Sequence, residues 1–268
     1  MPMKDFFLKH RKPIFFSAIV LVLVFIFTTA AISSSGSFFK KVSIDDISTC
    51  SKPEGKIVAH GIDVSYYQGD IDFGKVKESG FSFVIIKAGS TGFGADENFE
   101  RYYKDAQDAG LDIGCYYYTY STTVDSVKAD ADELLKIIKG KSFSYPVFLD
   151  LEDENIQSAD LIKSNTGMIN AFCQKVKRGG YYPGVYTSTS VYYNYINSET
   201  LADKWDFWIA SYDDHTYNSD VYHKDFSMWQ YSNAGVISGI DAEVDLDVSY
   251  VNYPDLIKEF KDKILKIS

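Results

Sequence analysis

Residues 57–89 read IVAHGIDVSYYQGDIDFGKVKESGFSFVIIKAG. Two apolar segments, 57–65 and 81–89, enclose a short stretch around 73–79 in which apolar residues recur at helical spacing. A strand, a helix and a second strand in this order form a β-α-β unit, in which the two strands lie parallel. The stretch therefore predicts an α/β domain.

The same alternation continues toward the C-terminus. Further strands are predicted where the sequence reads DIGCYYYTYS, PVFLDLE, PGVYTS, FWIASY, FSMWQYS and VDLDVSY. Helices with one apolar face are predicted around residues 99–106, 127–138 and 161–176, and a closing helix over 256–267. About eight strands in one domain predict a single TIM-like (β/α) barrel, irregular because the last connections are too short for full helices. A doubly wound sheet is the alternative, although no Gly-rich phosphate loop follows the first strand.

The N-terminal region has the pattern of an exported segment. Residues 13–32, PIFFSAIVLVLVFIFTTAAI, carry no charge and follow four basic residues, Lys4, Lys9, Arg11 and Lys12. Residues 1–35 are therefore predicted to be either a signal peptide cleaved near Ala31 or a retained transmembrane anchor, and both readings stay open. Residues 36–55 are predicted to be a flexible linker and 56–268 the catalytic domain, which we expect to lie outside the cytoplasm.

Composition and charge exclude several classes of function. The formal net charge is -10, which makes nucleic acid a poor partner. The three cysteines show no CxxC spacing, the four histidines are scattered, and neither Gly-x-Ser-x-Gly nor His-Glu-x-x-His is present. We therefore expect no metal and no cofactor, and neither a serine nor a zinc hydrolase.

Four acidic residues lie on predicted strands: Asp63, Asp150, Glu152 and Asp245. Acids are costly to bury, so their position toward the functional rim of a barrel calls for an explanation. Asp150 and Glu152 are two residues apart, which in a strand places both on one face with Cα atoms about 6.6 Å apart. Glycosidic cleavage commonly uses such a carboxyl pair, and crowding would keep Glu152 protonated as the acid. The plain alternative is a strand that runs into a polar loop.

Aromatic side chains accompany these acids, and sugars stack on such rings. The candidates for substrate binding are Tyr66, Tyr116, Tyr118, Tyr186, Trp208, Tyr212 and Trp229. For any single ring, packing in the barrel core is the competing interpretation.

The ordered set of motifs, HGIDVSYYQGDIDF, GCYYYTYS, YPVFLDLE, PGVYTS, WIASY, WQYS and VDLDVSY, resembles family 25 glycoside hydrolases over residues 57–253. The resemblance implies a flattened, irregular (β/α) barrel and a lysozyme-type N-acetylmuramidase, which cuts the β-1,4 bonds between N-acetylmuramic acid and N-acetylglucosamine in peptidoglycan. It implies that Glu152 is the proton donor, that Asp150 is the nucleophile or stabilises an N-acetyl-assisted intermediate, and that Asp63 and Asp245 support them.

Two positions depart from the family pattern. Tyr117 follows Tyr116 where the family often has a histidine or another polar residue, and the last motif reads VDLD where VDLN is commoner, which adds Asp247. A wall-binding module without turnover, and a glycosidase acting on another polysaccharide, stay open as alternatives. We expect a monomer whose partners are peptidoglycan strands and, if residues 13–32 are retained, a membrane.

Overall fold

A computed structural model describes residues 57–212 and 226–265 of the chain. The predicted signal or anchor segment, the linker and the domain boundary at residue 56 lie outside the described residues and stay predictions. Within the described ranges, no helix is both long enough and apolar enough to cross a membrane.

In the described part of the chain, nine strands form one sheet. Their bounds are β1 Ala59–Val64, β2 Phe83–Ser90, β3 Gly94–Ala95, β4 Asp112–Tyr118, β5 Val147–Asp150, β6 Pro183–Ser188, β7 Asp206–Ala210, β8 Met228–Gly235 and β9 Val244–Ser249. The order is β1-β9-β8-β7-β6-β5-β4-β2-β3, and an additional pairing of β1 with β2 closes eight of the strands into a ring. The predicted barrel of about eight strands is confirmed, and β3 is a two-residue partner of β2 outside the ring.

The last strand corrects the expectation of an all-parallel barrel. β9 runs antiparallel to both of its neighbours, β8 and β1, whereas the remaining ring pairs are parallel. The connection between β8 and β9, residues 236–243, is shorter than the dozen or more residues that a parallel crossover needs. Because of this reversal, the beginning of β9 lies at the same rim as the ends of the parallel strands.

The helices pack around the ring. They are α1 Phe73–Glu78, α2 Phe99–Asp108, α3 Val124–Ile137, α4 Ile162–Arg178, α5 Thr189–Asn194, α6 Ser198–Leu201 and α7 Tyr253–Leu265. The first four match the predicted helices, while α7 begins three residues earlier than expected. Leu161 and Ile162, the first two residues of the helix predicted at 161–176, are only half-buried, because Leu161 ends a 3-10 turn at Ala159–Leu161 and α4 begins at Ile162.

Alternation along the strands separates two cores. The larger core lies between barrel and helices and includes Ile62, Val84 and Leu149. A smaller one fills the barrel and includes Phe83, Phe148 and Trp208. Residues that face the interior therefore share one environment, and the acids of the barrel rim lie directly above a floor of aromatic rings.

Candidate active site

The four acids predicted from the sequence surround one cavity of about 370 Å³ at the rim where the parallel strands end. Its lining comprises Asp63, Ser65, Tyr67, Gln68, Lys87, Tyr116, Tyr118, Asp150, Glu152, Tyr186, Trp208, Tyr212, Gln230, Asn233 and Asp245. These residues come from all eight strands of the ring and from the three loops that follow β1, β5 and β7, so only closure of the ring brings them together.

Asp150 is the last residue of β5, and Glu152 follows it in the loop. The backbone here is fixed from both sides: Thr119 N–H donates to the Asp150 carbonyl oxygen at 3.1 Å, and Leu151 N–H donates to the Tyr186 carbonyl oxygen at 3.0 Å. The hydroxyl group of Thr187 donates to the Leu151 carbonyl oxygen at 2.6 Å. These bonds hold the two carboxyl groups on a rigid strand end, which catalytic groups require.

Burial controls the protonation of this pair. Burial and, to a smaller extent, the nearby charge of Asp245 raise the pKa of Glu152, Lys87 lowers it, and the net result is a pKa of about 7. Burial also raises the pKa of Asp150, with Glu152 adding to the increase and Lys87 opposing it. The Oδ1 atom of Asp150 is buried and accepts no hydrogen bond from the described residues. The pair therefore offers a carboxylic acid near neutral pH and an acceptor oxygen.

Asp63 is the last residue but one of β1, and its side chain is held by Gln230. The Gln230 Nε2 atom donates to Asp63 Oδ2 at 2.7 Å. The other side of the same amide accepts from Tyr186 Oη at 2.9 Å and from the hydroxyl group of Tyr212. Because two hydroxyl donors occupy the amide oxygen, the NH2 group of Gln230 must face the carboxyl group of Asp63.

Asp245 pairs directly with Asp63 across β9 and β1, which the antiparallel register makes possible. Burial raises the pKa of Asp245 to about 6. Asp247, two residues on, is fully buried on the same face of β9 and accepts a hydrogen bond from Trp208 Nε1 at 2.8 Å. The acid that departs from the family pattern thus lies in the barrel interior beneath the cavity.

The seven predicted aromatic residues divide into two groups. Tyr116, Tyr118, Tyr186, Trp208 and Tyr212 line the cavity, although Trp208 is 1% exposed and forms its floor. Tyr66 and Trp229 do not line it. The ring of Tyr66 packs on Tyr67, which lines the cavity instead, with centroids 4.0 Å apart. Trp229 lies one residue from Gln230 and so faces the opposite side of β8, where its Nε1 donates to the Ser211 carbonyl oxygen.

Sequence reasoning missed Lys87 and Gln230. Lys87 interrupts the otherwise apolar strand FVIIKAG, and its Nζ lies 5.4 Å from the ring centroid of Tyr118. Gln230 is 2% exposed within MWQYS. Both carry the same signal that identified the acids, namely a polar residue at an inward position of an apolar strand.

Comparison with known proteins adds sequence relationships to this geometry. Residues 62–240 match the sequence profile of glycosyl hydrolases family 25. The chain is 35% identical to an autolytic lysozyme of Clostridium acetobutylicum over 70% of its length. It is 30% identical to lysozyme M1 of Streptomyces globisporus over 69% of its length. Among solved structures, it superposes on a bacterial lysozyme of Streptomyces coelicolor with a TM-score of 0.62 and 25% identity, covering 76% of this chain and 97% of that chain.

The match covers only part of the curated relatives. The chain spans 54% of the length of the clostridial autolytic lysozyme and 65% of that of lysozyme M1. The profile match contains Asp63, Asp150 and Glu152 and ends at residue 240, before Asp245.

Proposed function

The chain belongs to glycosyl hydrolase family 25, and from this membership we propose that it is a lysozyme-type N-acetylmuramidase acting on bacterial peptidoglycan. The bond cleaved is the β-1,4 linkage between N-acetylmuramic acid and N-acetylglucosamine. Glu152 is the proton donor, and Asp150 is the nucleophile or stabilises an N-acetyl-assisted intermediate. Asp63 and Asp245 complete the acidic side of the cavity.

The observation that carries the proposal is the pair Asp150 and Glu152 on a rigid strand end, inside a cavity walled by aromatic rings. An acid with a pKa of about 7 is about half protonated at pH 7 and more fully protonated below it, so it can donate to the leaving oxygen near neutral pH. Tyr116, Tyr118 and Tyr212 supply ring faces and hydroxyl groups that can bind a sugar. A strongly acidic protein needs such contacts because its charge does not attract an anionic polymer.

Asp150 is suited to either of its two roles. As a nucleophile it would attack the anomeric carbon, and a second step with water would release the sugar. In the assisted route the acetamido oxygen of the substrate attacks, and Asp150 Oδ1, which accepts no bond from the described residues, is a ready acceptor for the acetamido N–H. Both routes retain configuration at the anomeric carbon.

Product analysis tests the reaction. The purified protein is incubated with peptidoglycan, the products are reduced with borohydride, and their masses are determined. Fragments that end in reduced N-acetylmuramic acid support the proposal. Fragments that end in reduced N-acetylglucosamine contradict the bond assignment, and retained protein with intact glycan would indicate a binding module.

Substitution of the proton donor tests the residue assignment. Glu152→Gln should lower kcat by roughly 10²- to 10⁴-fold, because a positioned general acid contributes about that much. The matched control is Glu154→Gln, the same change at an exposed residue two positions along the chain, which should keep the wild-type rate. Circular dichroism confirms that both variants are folded. Equal rates for the two variants would refute the role of Glu152.

We further propose that the protein acts outside the cytoplasm, either anchored by residues 13–32 or secreted after cleavage near Ala31. The charge pattern of residues 1–35 supports export, as does the likeness to an autolytic lysozyme. N-terminal sequencing of the protein recovered from membranes and from the medium separates the two forms. Recovery of the protein only from the cytoplasm would contradict export.

A further inference from the structure

Asp247 is a buried acid that the proposed reaction does not use. It is 0% exposed in the interior of the barrel, below the cavity that Asp63 and Asp245 line. Its Oδ1 atom accepts from Trp208 Nε1 at 2.8 Å, whereas Oδ2 is buried and meets no donor among the described residues. An ionised carboxylate with one buried oxygen lacking a donor would carry a large desolvation cost.

The neighbour of Asp247 is another carboxyl group. The register of β1 and β9 sets Gly61 opposite Asp247 and Asp63 opposite Asp245, so Asp63 and Asp247 are diagonal neighbours on the inward face. Gly61 has no side chain to separate them. The two carboxyl groups approach within hydrogen-bonding range of each other. Two carboxyl groups can hydrogen-bond only if one of them carries a proton.

We propose that Asp63 and Asp247 share a single proton, and that Asp247 is thereby a positioning residue that holds the Asp63 carboxyl group at the cavity by a carboxyl–carboxylate hydrogen bond. In this arrangement each carboxyl group also accepts from one neutral donor, Gln230 Nε2 on Asp63 and Trp208 Nε1 on Asp247. The pair then carries one negative charge in place of two. The proton belongs to the pair rather than to either residue.

The surroundings of the pair favour retention of the proton. Burial raises the pKa of both Asp63 and Asp247, and the charge of Asp245 raises both further. The other titratable groups that face the pair are tyrosines from neighbouring elements, namely Tyr116, Tyr145, Tyr186 and Tyr212. His60 lies on the opposite face of β1, because successive residues of a strand alternate.

Proton counting tests the shared proton. The unfolding free energy of the full chain is measured between pH 5.5 and 8 for the wild type, Asp63→Asn, Asp247→Asn and the double variant. The pH slope gives the number of protons released on unfolding. The double variant should release about one proton fewer than the wild type, because the pair holds only one, and neither single variant should release more than about one fewer. Asp203→Asn, at an exposed position, should leave the slope unchanged.

The other outcomes overturn the proposal. A double variant that releases two protons fewer would show two acids protonated independently. Slopes equal to that of the wild type in all variants would show that both acids are ionised in the folded protein. The asparagine side chain keeps the shape, a donor and an acceptor, so these variants are expected to fold.

Kinetics test the positioning role, which rests on the proposed function. Asp247→Asn retains an N–H donor for Asp63 and an oxygen acceptor for Trp208, whereas Asp247→Leu retains neither. On peptidoglycan fragments, kcat/KM of the folded leucine variant should lie at least about tenfold below that of the asparagine variant. Equal values would contradict positioning. If the wild type itself cleaves no glycan, the proposed function fails while the proton count still decides whether the proton is shared.

Discussion

Among single residues, the polar side chains on the inward face of apolar strands control the protonation of the cavity. Lys87 acts on both Asp150 and Glu152, and it is the cation that opposes the effect of burial on the pKa of each. Its Nζ is also 5.9 Å from the ring centroid of Tyr116, so the ammonium group sits between aromatic rings and carboxyl groups. The protonation of Asp150 and Glu152 therefore depends on burial, which raises the pKa of each, and on Lys87, which lowers it.

Removal of that charge should move the pH profile. Lys87→Met leaves burial to act unopposed, so the pKa of Glu152 rises above its value of about 7. Because the protonated acid is the active form, the alkaline limb of kcat/KM should begin near pH 7 in the wild type and move to higher pH in the variant. The measurement is the rate on soluble peptidoglycan fragments from pH 4 to 9.

Lys139→Met, at an exposed lysine, is the matched control and should keep the wild-type profile. A limb that moves to lower pH in Lys87→Met would contradict the assigned electrostatics. An unchanged limb would show that an ionisation other than that of Glu152 limits the reaction.

At the scale of the element, small residues allow large rings to fill the barrel. A Cβ atom at Gly61 would lie 2.2 Å from Cε2 of Phe83, and one at Gly184 would lie 2.5 Å from Cε1 of Phe148. The ring of Phe83 stacks on Tyr145 with centroids 4.3 Å apart, so it has no space into which to move. Adjacent strands thus contribute a glycine and an aromatic ring at the same level.

Gly61→Ala should therefore destabilise the protein by about 1–3 kcal/mol, the usual cost of overpacking a core. Gly74→Ala in α1 is the control, because its nearest neighbour is a flexible side-chain atom, Asp72 Oδ1 at 3.2 Å, and alanine favours helix. Urea unfolding gives both values. Equal stabilities of the two variants would mean that the barrel floor adapts to an added methyl group.

A buried amide joins two loops that follow neighbouring strands. Asn165 in α4 is 0% exposed, and its Nδ2 atom donates to the carbonyl oxygens of Ile156 at 2.8 Å and Tyr195 at 2.9 Å. The first loop continues directly from Glu152, so this contact supports the segment that carries the proposed proton donor.

Asn165→Ala removes the donor of the Tyr195 carbonyl oxygen and one of the two donors of the Ile156 carbonyl oxygen, which also accepts from Ser158 N–H, and should cost about 1–3 kcal/mol of stability. The control is Asn194→Ala, where the amide donates to the Ser190 carbonyl oxygen within an exposed helix, and its cost should be within about 0.5 kcal/mol. Thermal unfolding compares the two variants. A loss at position 194 as large as that at position 165 would argue against the joining role of Asn165.

Across the described part of the molecule, burial raises the pKa of six carboxyl groups, those of Asp63, Asp150, Glu152, Asp206, Asp245 and Asp247. Above pH of about 4, where the unfolded chain has lost these protons, the folded protein still holds some of them. Unfolding then releases protons, which means that alkali favours the unfolded state.

The protein should consequently be more stable in mild acid than at alkaline pH. Its melting temperature should fall as pH rises from 5 to 8. The fall should be steepest at the acidic end of this range, because Asp245 loses its proton at a pH of about 6 and Glu152 at about 7, and each then ceases to contribute. Differential scanning calorimetry at constant ionic strength measures this. A melting temperature that rises over the same interval would show that these acids are ionised in the folded protein.

Local sequence patterns predicted about eight strands, their order along the chain, the positions of the main helices and four candidate acids on the strands. These follow from hydrophobic periodicity and from the cost of burying charge, which are local properties of the chain. The same reasoning could have found Lys87 and Gln230, since each interrupts an apolar strand in the way that Asp63 and Asp150 do.

The direction of β9, the choice between two adjacent aromatic residues at the cavity and the contacts among the carboxyl groups became visible only in the folded protein. The reversal of β9 places Asp245 opposite Asp63 and Asp247 within reach of it. Tyr67 takes the position expected for Tyr66, and Trp229 faces away. Such outcomes depend on register and ring closure, in which residues far apart in sequence become neighbours, and a shift of one residue reverses the face of every side chain.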